Sequence, residues 1–521
     1  MSSQCDGASA GPLAVPAGWV LIAFEDVCEP VPDGGRKVPQ KAYLPSGLYP
    51  IVDQGDGLIG GFTDDASMLF QGETPIIVFG DHTRRFKLIE RPFVIGADGV
   101  KLIRPTHAWN VRCLWYFLQA LKFEDRGYSR HFQFVRKAQL PLPPIAEQAR
   151  IVDALDELLS DLDAAVAALE RVRGKLKVYR AAVLKAAMEG ELTAEWRKQQ
   201  PQAEPASELL KRILIERRRR WEENELHQFK KKGRVPPKNW KAKYKEPAAP
   251  DVADLPPLPD GWCWATVEQL SILVTDGDHN PPKRVSSGVP HLTAKNVKGL
   301  ALNQSGCSYI SSRDAERVFH RYRPLAGDLI ITCVGTVGRT AIVPLDFKFS
   351  PDRNLAALRF SKVGPLGRYL QFYLESPCAQ SEIMTASGST AQPHFYLGDL
   401  RALPIALPLL SEQEAVVEAV EDQLSAIDHL ESDIDAKLKA AQGLRQSILL
   451  HAFSGQLVAQ DPNDEPASKL LKRIAVEREQ RTSEAAAIRL NSRKPRPIPK
   501  PLGKAPHSST KESQYGCIAD R

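Results

Sequence analysis

Two short motifs carry residue types that could do chemistry on a base or a metal. Residues 280–283 read NPPK, close to the Asn-Pro-Pro-aromatic loop that holds a flipped base in adenine methyltransferases, but a lysine replaces the stacking aromatic. Asp81 and His82 place a carboxylate beside an imidazole, a combination that can bind a metal ion or act in general acid–base catalysis. No second histidine cluster accompanies them in the sequence. The favoured interpretations are a proline turn in a basic loop and a polar loop that meets a ligand.

No nucleotide-binding motif supports an active site elsewhere in the chain. GTVGRT at residues 335–340 lacks the lysine and the spacing of a phosphate-binding P-loop, and no GxGxxG follows a predicted strand. The sequence therefore predicts no catalytic residue and no metal ligand.

Both halves of the chain do carry loops rich in basic and hydrogen-bonding side chains. Arginine and asparagine can contact guanine and adenine edges through paired hydrogen bonds, and lysine, serine and threonine suit phosphates. Because surface loops are commonly basic, the stronger signal is that such loops recur in both halves. The predicted DNA-binding residues are His82, Thr83, Arg84, Arg85, Lys87, Arg130, His279, Asn280, Lys283, Arg284, Lys295, Lys298, Arg339 and Arg353.

The segments that must position these loops occur twice in the sequence. Residues 204–217 read EPASELLKRILIER and residues 465–478 read EPASKLLKRIAVER, which are identical at eleven of fourteen positions. We call these segments the tags. Internal repetition of this length indicates a duplicated half-molecule, and so a target recognised in two parts.

A long apolar repeat precedes each tag, and the two repeats overlay at an offset of 265 residues. A period of seven residues is typical of a coiled-coil seam. The predicted seam consists of Leu155, Leu162, Leu169, Leu176 and Val183 in the first helix and Val420, Ile427, Ile434, Ala441 and Ile448 in the second.

Each predicted helix has a start and a stop. Proline-rich strand endings precede them at residues 140–148 (LPLPPIAEQ) and 403–413 (LPIALPLLSEQ), and Gly190 and Gly455 follow them. From about residue 146 to 188 the first helix spans roughly 60 Å, at about 1.5 Å per residue. Two such helices most simply pair with each other as antiparallel neighbours. The alternative, that each packs on a separate partner protein, stays open.

A globular segment lies ahead of each helix. Both segments open with a Gly-Trp pair, at residues 18–19 and 261–262, but their interiors differ almost completely. Short runs of Val, Ile, Leu and Phe between Gly, Pro and Asp predict strands with occasional helices. The predicted fold class is therefore mixed α/β (α+β), with two globular domains separated by two long helices.

Composition bounds the function classes. The chain has 521 residues, a net charge of +6, 43% hydrophobic and 25% charged residues, as is ordinary for a soluble globular protein. No apolar run reaches 18 residues, no secretory signal is recognisable, and the eight cysteines form no CxxC pair. We expect a cytoplasmic protein with reduced thiols.

The charge is unevenly distributed. Residues 211–245 hold fourteen Lys and Arg against four Glu, a larger excess than that of the whole chain. Two interpretations stay open: a surface that tracks a phosphate backbone, or a solvated linker. The interleaved Trp221, Phe229, Trp240 and Tyr244 either stack on bases or pack on a neighbour.

These features together resemble the specificity subunits of type I restriction–modification systems. The resemblance covers the chain to about Arg478 and rests on the Gly-Trp openings, the two strand endings before the helices, and the ends AAMEGEL and HAFSGQL. Inside the domains, IIVFGDHTRRFK, GDLIITCVGTVGRTAIV and SGSTAQPHF are similar to target-recognition patterns. The second helix start departs slightly, with Leu409, Leu410 and Ser411 before the shared Glu-Gln.

The resemblance implies two target recognition domains held apart by two helices that pair as an antiparallel coiled coil with pseudo-twofold symmetry. Each domain is implied to read one half of a split, asymmetric double-stranded DNA target. Implied partners are two methyltransferase subunits and a restriction subunit. The chain itself is implied to be non-catalytic and free of cofactor, with S-adenosylmethionine, ATP and Mg on the partner subunits.

With that plan the chain divides as follows: recognition domain 1 at residues 1–143, long helix 1 at 144–192, a basic helical linker at 193–255, recognition domain 2 at 256–407, long helix 2 at 408–458, and the second tag with a basic tail, predicted to be disordered, at 459–521. The alternatives are a stand-alone DNA methyltransferase or nuclease, and a coiled-coil scaffold that binds only proteins. The role of the tags stays open between the methyltransferase subunits and the DNA backbone.

Overall fold

The computed structural model describes residues 15–97, 99–121, 130–200, 204–280, 282–388 and 393–491; most of the predicted basic tail lies outside them. The chain forms two compact units. Unit 1 comprises Met1–Asp163 and Ala441–Arg521, and unit 2 comprises Ala164–Ala440. Each unit thus contains one globular domain and parts of both long helices.

The domain of unit 1 is built on a four-stranded antiparallel sheet in the order β2-β8-β5-β6, with a three-stranded sheet β4-β3-β7 and a two-stranded pair β1-β9. Its strands are β1 Val20–Ala23, β2 Cys28–Val31, β3 Tyr49–Val52, β4 Gly61–Thr63, β5 Ile76–Gly80, β6 Phe86–Ile89, β7 Val94–Ile95, β8 Val100–Pro105 and β9 Gln139–Leu142. Its helices are α1 Phe24–Val27, α2 Val111–Ala120 and α3 Phe132–Arg136. Every residue of β5 is buried, as its unbroken apolar run predicts.

Three helices follow the first domain: α4 Ile145–Met188, α5 Ala194–Gln199 and α6 Ala206–Lys231. The C-terminus of α4 is set by Gly190, whose positive φ of 73° suits glycine. The Glu191 N–H then donates to the Ala186 carbonyl at 2.8 Å. The first tag begins α6 and therefore forms a helix of its own.

The domain of unit 2 repeats this plan. Its strands are β10 Cys263–Thr266, β11 Leu273–Asp276, β12 Arg284–Val285, β13 Val289–Leu292, β14 Val297–Lys298, β15 Ala301–Leu302, β16 Ser308–Ile310, β17 Leu329–Thr332, β18 Thr340–Ile342, β19 Ser350–Pro351, β20 Leu355–Arg359 and β21 Pro404–Leu407. Its helices are α7 Val267–Leu270, α8 Ser312–Phe319, α9 Gly367–Glu375, α10 Pro377–Ala386 and α11 Leu397–Ala402. The antiparallel sheet β11-β20-β17-β18 has the same order as β2-β8-β5-β6. The two domains therefore share a topology that their sequences conceal.

The second long helix, α12 Leu410–Phe453, matches α4 in length, at 44 residues each. It ends at Gly455 with φ of 70°, as α4 ends at Gly190. The second tag begins α13 Ala467–Asn491. The predicted mixture of helix and sheet is confirmed.

Within each unit the long helices join the domain core. In unit 1 the core of the domain is continuous with Ile151, Leu155 and Leu449. In unit 2 it is continuous with Val183 and Val420. Burial of these apolar faces fixes each domain to its helices.

Candidate nucleic-acid interface

In unit 1 one residue links three loops at one end of the sheet. Asp81, directly after β5, donates its N–H to the Gly99 carbonyl at 2.7 Å and accepts the His131 N–H on its own carbonyl at 3.2 Å. Its buried carboxylate accepts the Phe132 N–H at 2.7 Å. Asp81 is therefore the structural link between the β5–β6 turn, the loop before β8 and the loop before α3.

The predicted residues of unit 1 surround this link. The β5–β6 turn places His82, Thr83 and Arg84 partly exposed and Arg85 exposed, while Arg130 is exposed beside His131. Thr83 donates its hydroxyl to the Gln54 carbonyl at 2.5 Å, and Arg85 lies 3.0 Å from Asp56. The turn is thus shaped by its own contacts and presents basic groups at its surface.

Lys87 differs from the other predicted residues because it points inward. It is 5% exposed, and its amine donates to the Asp53 carbonyl at 2.7 Å. Burial lowers the pKa of Lys87, and the nearby Asp53 carboxylate opposes that shift. Lys87 therefore stabilises the β5–β6 turn through its bond to Asp53 and does not present its charge to a ligand.

Unit 2 has an equivalent link at Cys333, directly after β17. Its N–H donates to the Asn354 carbonyl at 2.8 Å, and its carbonyl accepts the Phe395 N–H at 2.8 Å. These bonds correspond to the Gly99 and His131 bonds of Asp81. The β17–β18 turn, the loop before β20 and the loop at residues 393–396 are therefore joined as in unit 1.

The predicted residues of unit 2 fall into two groups. His279, Asn280 and Lys283 lie on the β11–β12 loop, and Arg284 is the first residue of β12. The loop bridges to the Arg353 loop through Asp278 and Asp352, and all five predicted residues are exposed. Lys298 and Arg339 instead line a cleft together with Arg180 and Glu431 of the long helices. Lys295 is exposed on a short turn before β14. The first group is the more compact candidate surface.

Two arginines that the sequence reasoning missed support the first group. Arg321 binds the Asp276 carboxylate, and Arg317 lies 2.8 Å from Asp278. His279 shares the same Asp276 carboxylate, at 2.9 Å. No motif marks these arginines, because α8 approaches the loop only in the folded domain.

A second acidic residue orients Arg284. Asp352 lies 3.4 Å from the buried His291 and 4.0 Å from Arg284. Burial would raise the pKa of Asp352, but the hydrogen bonds from His291 and from the Asn354 N–H outweigh it, so that pKa lies below its ordinary value. A charged Asp352 at neutral pH keeps the loop and its arginine together.

The predicted seam residues all lie on covered faces. Leu155, Leu176, Val183, Val420, Ile427 and Ile434 are buried, and Leu162, Leu169, Ala441 and Ile448 are partly buried. In unit 2 the long helices contact each other through Arg180 with Asp428 and through Arg173 with Asp435. In unit 1 Arg445 binds Asp163.

The duplicated sequence features have duplicated contacts. In unit 1 Trp19 donates its indole N–H to Glu147 at 2.8 Å, and in unit 2 Trp262 donates to Glu412 at 2.8 Å. The neighbouring Gln148 and Gln413 each donate back to a proline carbonyl at the helix start, at 3.0 and 2.9 Å. The Gly-Trp openings and the Glu-Gln helix starts are therefore two sides of one anchor.

Each tag docks on a Gly-Trp opening. The Ala206 N–H donates to the Gly261 carbonyl at 2.8 Å in unit 2, and the Ala467 N–H donates to the Gly18 carbonyl at 2.9 Å in unit 1. Both alanines are fully buried. The first tag thus closes on the second domain and the second tag on the first domain, which gives the tags a structural role that the sequence left open.

In the part of the chain that the structure describes, no group of three His, Cys, Asp or Glu side chains is placed to hold a metal ion. The helices among those residues include none that is both long and apolar enough to cross a membrane.

The architecture consists of two domains with the same order of strands in their main sheets and with unlike basic loops. A family model described as the type I restriction modification DNA specificity domain matches residues 16–170 and 283–440, more than half of the chain. The chain belongs to this family. The resemblance drawn from the sequence is confirmed.

Relatives and a solved structure agree with this assignment. The chain is 27% identical over 350 residues to the type I restriction enzyme EcoBI specificity subunit of Escherichia coli, covering 65% of this chain and 64% of the relative, just under two thirds of its length. It is 24% identical over 490 residues to the EcoDI specificity subunit of Escherichia coli, covering 90% and 97%. A solved chain, described in connection with complex assembly and conformational transition of the type I R-M system, shares the fold with a TM-score of 0.51 and 18% identity, covering 85% of this chain and 100% of that chain.

Proposed function

We propose that this chain is the DNA-reading specificity subunit of a type I restriction–modification complex. The observation that carries the proposal is the repeated anchor: the same Trp–Glu contact fixes each of two unlike domains to a long helix. Membership of the specificity family supports the same role. A repeated frame with different loops suits a protein that reads two different half-sites.

The recognition surfaces are the loops joined at Asp81 in the first domain and, in the second, the loops joined at Cys333 together with the β11–β12 loop, which Asp278 bridges to the Arg353 loop. In the first domain the readers are the β5–β6 turn and Arg130; in the second they are the β11–β12 loop, Arg339 and Arg353. Arginine and asparagine on such loops can bind base edges, and the remaining cations bind phosphates. Because the loops differ, the target is bipartite and asymmetric.

The long helices act as the ruler between the half-sites. We infer that α4 and α12 pair as an antiparallel coiled coil with pseudo-twofold symmetry. Ion pairs support this: on moving from Arg180 to Arg173 along α4, the partner on α12 moves from Asp428 to Asp435. Two equivalent methyltransferase subunits would dock on the two equivalent frames, and a restriction subunit would join them.

The chemistry belongs to those partners. We propose that this chain is non-catalytic and cytoplasmic, and that S-adenosylmethionine, ATP and Mg bind to the methyltransferase and restriction subunits. The rival interpretation, a methyltransferase or nuclease in its own right, predicts methyl transfer or cleavage by the purified chain. A scaffold that binds only proteins predicts no DNA affinity at low salt even with partners present.

The decisive experiment is a map of methylated adenines in cells that carry the methyltransferase subunit with and without this chain. A split motif with unlike halves should appear only when the chain is present. Exchanging residues 256–407 for another recognition domain should change one half of the motif and leave the other intact. A palindromic motif, or the same motif without the chain, would refute the proposal.

A further inference from the structure

The segment that follows the first tag forms a projecting arm, residues 218–245. After α6 the chain reverses at Gly233, whose φ is 61°, and a short helical turn at Trp240–Lys243 returns along α6. Trp221 stacks on Trp240 with ring centroids 5.9 Å apart and meets Tyr244 at 5.3 Å. The aromatic residues therefore pack on one another. Trp240 is buried, so it serves the arm's fold rather than base stacking.

Carboxylates neutralise the cations of residues 211–220 in α6, a segment that we call the shaft. Glu216 binds Arg219 and Arg220 at 2.7 and 2.8 Å, and Glu222 lies 2.8 Å from Lys241 and 3.4 Å from Arg218. The cations of residues 211–220 all have a carboxylate neighbour in this way. The excess positive charge of residues 211–245 must therefore lie beyond residue 220.

That excess is concentrated at the far end, which we call the basic tip. All its members are exposed, and no described carboxylate lies within 4.0 Å of their charged nitrogens. The members are Lys230, Lys231, Lys232, Arg234 and Lys238. Five uncompensated cations around the turn at Gly233 form an anion-binding surface rather than a neutral linker.

The tip stands away from the recognition domain of unit 2. Arg217 donates to the Ser271 carbonyl at 3.1 Å, and Thr266 holds the returning chain by donating to the Ala248 carbonyl at 3.0 Å. Lys231 lies fourteen residues beyond Arg217, so at about 1.5 Å per residue α6 carries the tip roughly 20 Å from this attachment. The tip can therefore reach groups that the recognition loops cannot.

We propose that the basic tip binds the phosphate backbone of duplex DNA outside the recognised half-site. The inference rests on the proposed function, because it requires DNA bound at the second domain. Duplex DNA presents one negative charge per about 1.7 Å, which matches a dense row of cations. An acidic protein surface fits less well: interfaces are depleted in lysine and enriched in aromatic anchors, and the tip's only large exposed apolar side chain is Val235.

The test compares two variants with the same loss of charge, each assembled with its methyltransferase subunit. The tip variant is K230Q/K231Q/K232Q/R234Q. The shaft variant is K211Q/R212Q/R219Q/R220Q, whose four exposed cations already have carboxylate neighbours. Fluorescence anisotropy between about 50 and 200 mM salt would measure binding to three labelled duplexes: the mapped target alone, the target extended by about 20 base pairs on each side, and a scrambled extended duplex.

We expect the tip variant to bind both extended duplexes about 10-fold or more weakly at low salt, with a salt slope smaller by about 2 to 4 units, since each lost phosphate contact removes about 0.9. The shaft variant should lie close to the wild type, and all three proteins should bind the short target alike. Equal slopes for the tip variant and the wild type would overturn the proposal. Loss of the methyltransferase subunit with an unchanged slope would instead identify a protein partner. If the wild type fails to prefer target over scrambled DNA, the proposed function itself fails.

Discussion

The indole N–H of Trp19 donates to the carboxylate of Glu147 across 128 residues of sequence, at 2.8 Å and out of contact with solvent. This bond ties the first residues of the domain of unit 1 to the first turn of α4. Glu147 Oε2 accepts the bond, while Oε1 has no partner among the described residues. The anchor therefore depends on a single donor.

Removing that donor should destabilise unit 1. In Trp19→Phe the buried Glu147 loses its hydrogen bond, and an unsatisfied buried polar group costs about 1–3 kcal/mol. Denaturant unfolding should show this loss. Trp264→Phe is the matched control, because the Trp264 indole donates to the Pro256 carbonyl at an exposed position. Equal effects of the two substitutions would contradict a special role for the anchor.

The same anchor predicts a pH dependence. Burial raises the pKa of Glu147 above its ordinary value of 4.5, and the Trp19 hydrogen bond opposes the shift. A raised pKa in the folded state stabilises the protein below pH 4.5, and that contribution is lost as the pH rises through the folded-state pKa. Glu147→Gln mimics the protonated group at every pH. Its unfolding free energy relative to wild type should therefore increase as the pH rises above 4.5, and parallel pH profiles would refute this.

The second tag should stabilise the first domain. Leu471 and Ile474 pack on the core of unit 1, whereas Val476 of the same helix is 53% exposed. Leu471→Ala and Ile474→Ala should each lower the unfolding free energy by about 1–3 kcal/mol, somewhat below the cost at a fully buried site. Val476→Ala serves as the control and should change it little. If all three substitutions have the same effect on the unfolding free energy, the second tag does not stabilise the first domain through these contacts.

Substitutions in the two recognition surfaces should act on different half-sites. Arg353→Gln should relax discrimination at one half of the target, and Arg85→Gln at the other, by about 1–3 kcal/mol if each contacts a base. Methylation of duplexes that are degenerate in one half at a time would measure this. Uniform weakening across all sequences would indicate phosphate contacts instead, and an effect of either substitution on both halves would contradict separate readers.

The length of the long helices should set the spacer. Deleting one heptad from each helix keeps the apolar stripe in phase and shortens the frame by about 10 Å. The preferred spacer should then contract by about three base pairs, at about 3.4 Å per pair. Mapping the methylated motif of the deletion variant tests this. An unchanged spacer length would contradict the hypothesis that the long helices set the distance between the half-sites.

The sequence by itself determined the frame of this protein. A seven-residue apolar period, glycine stops and a doubled Gly-Trp opening are local or periodic signals, so they predicted the two long helices, the duplication and the family. The burial of the predicted stripe residues follows from the same period, since a stripe on one helical face must be covered, while their pairing in a coiled-coil seam stays a prediction.

Only the tertiary structure decided which side chains meet. Lys87 has the same charge as its neighbours, but β6 is covered on both faces, and the amine of Lys87 donates to the Asp53 carbonyl. Arg317 and Arg321 join the second surface because α8 folds against the β11–β12 loop. The first tag contacts Gly261 through Ala206. The second tag contacts Gly18 through Ala467, although these two residues are far apart in the sequence. Contacts of this kind depend on chain topology, and no local pattern of residues records them.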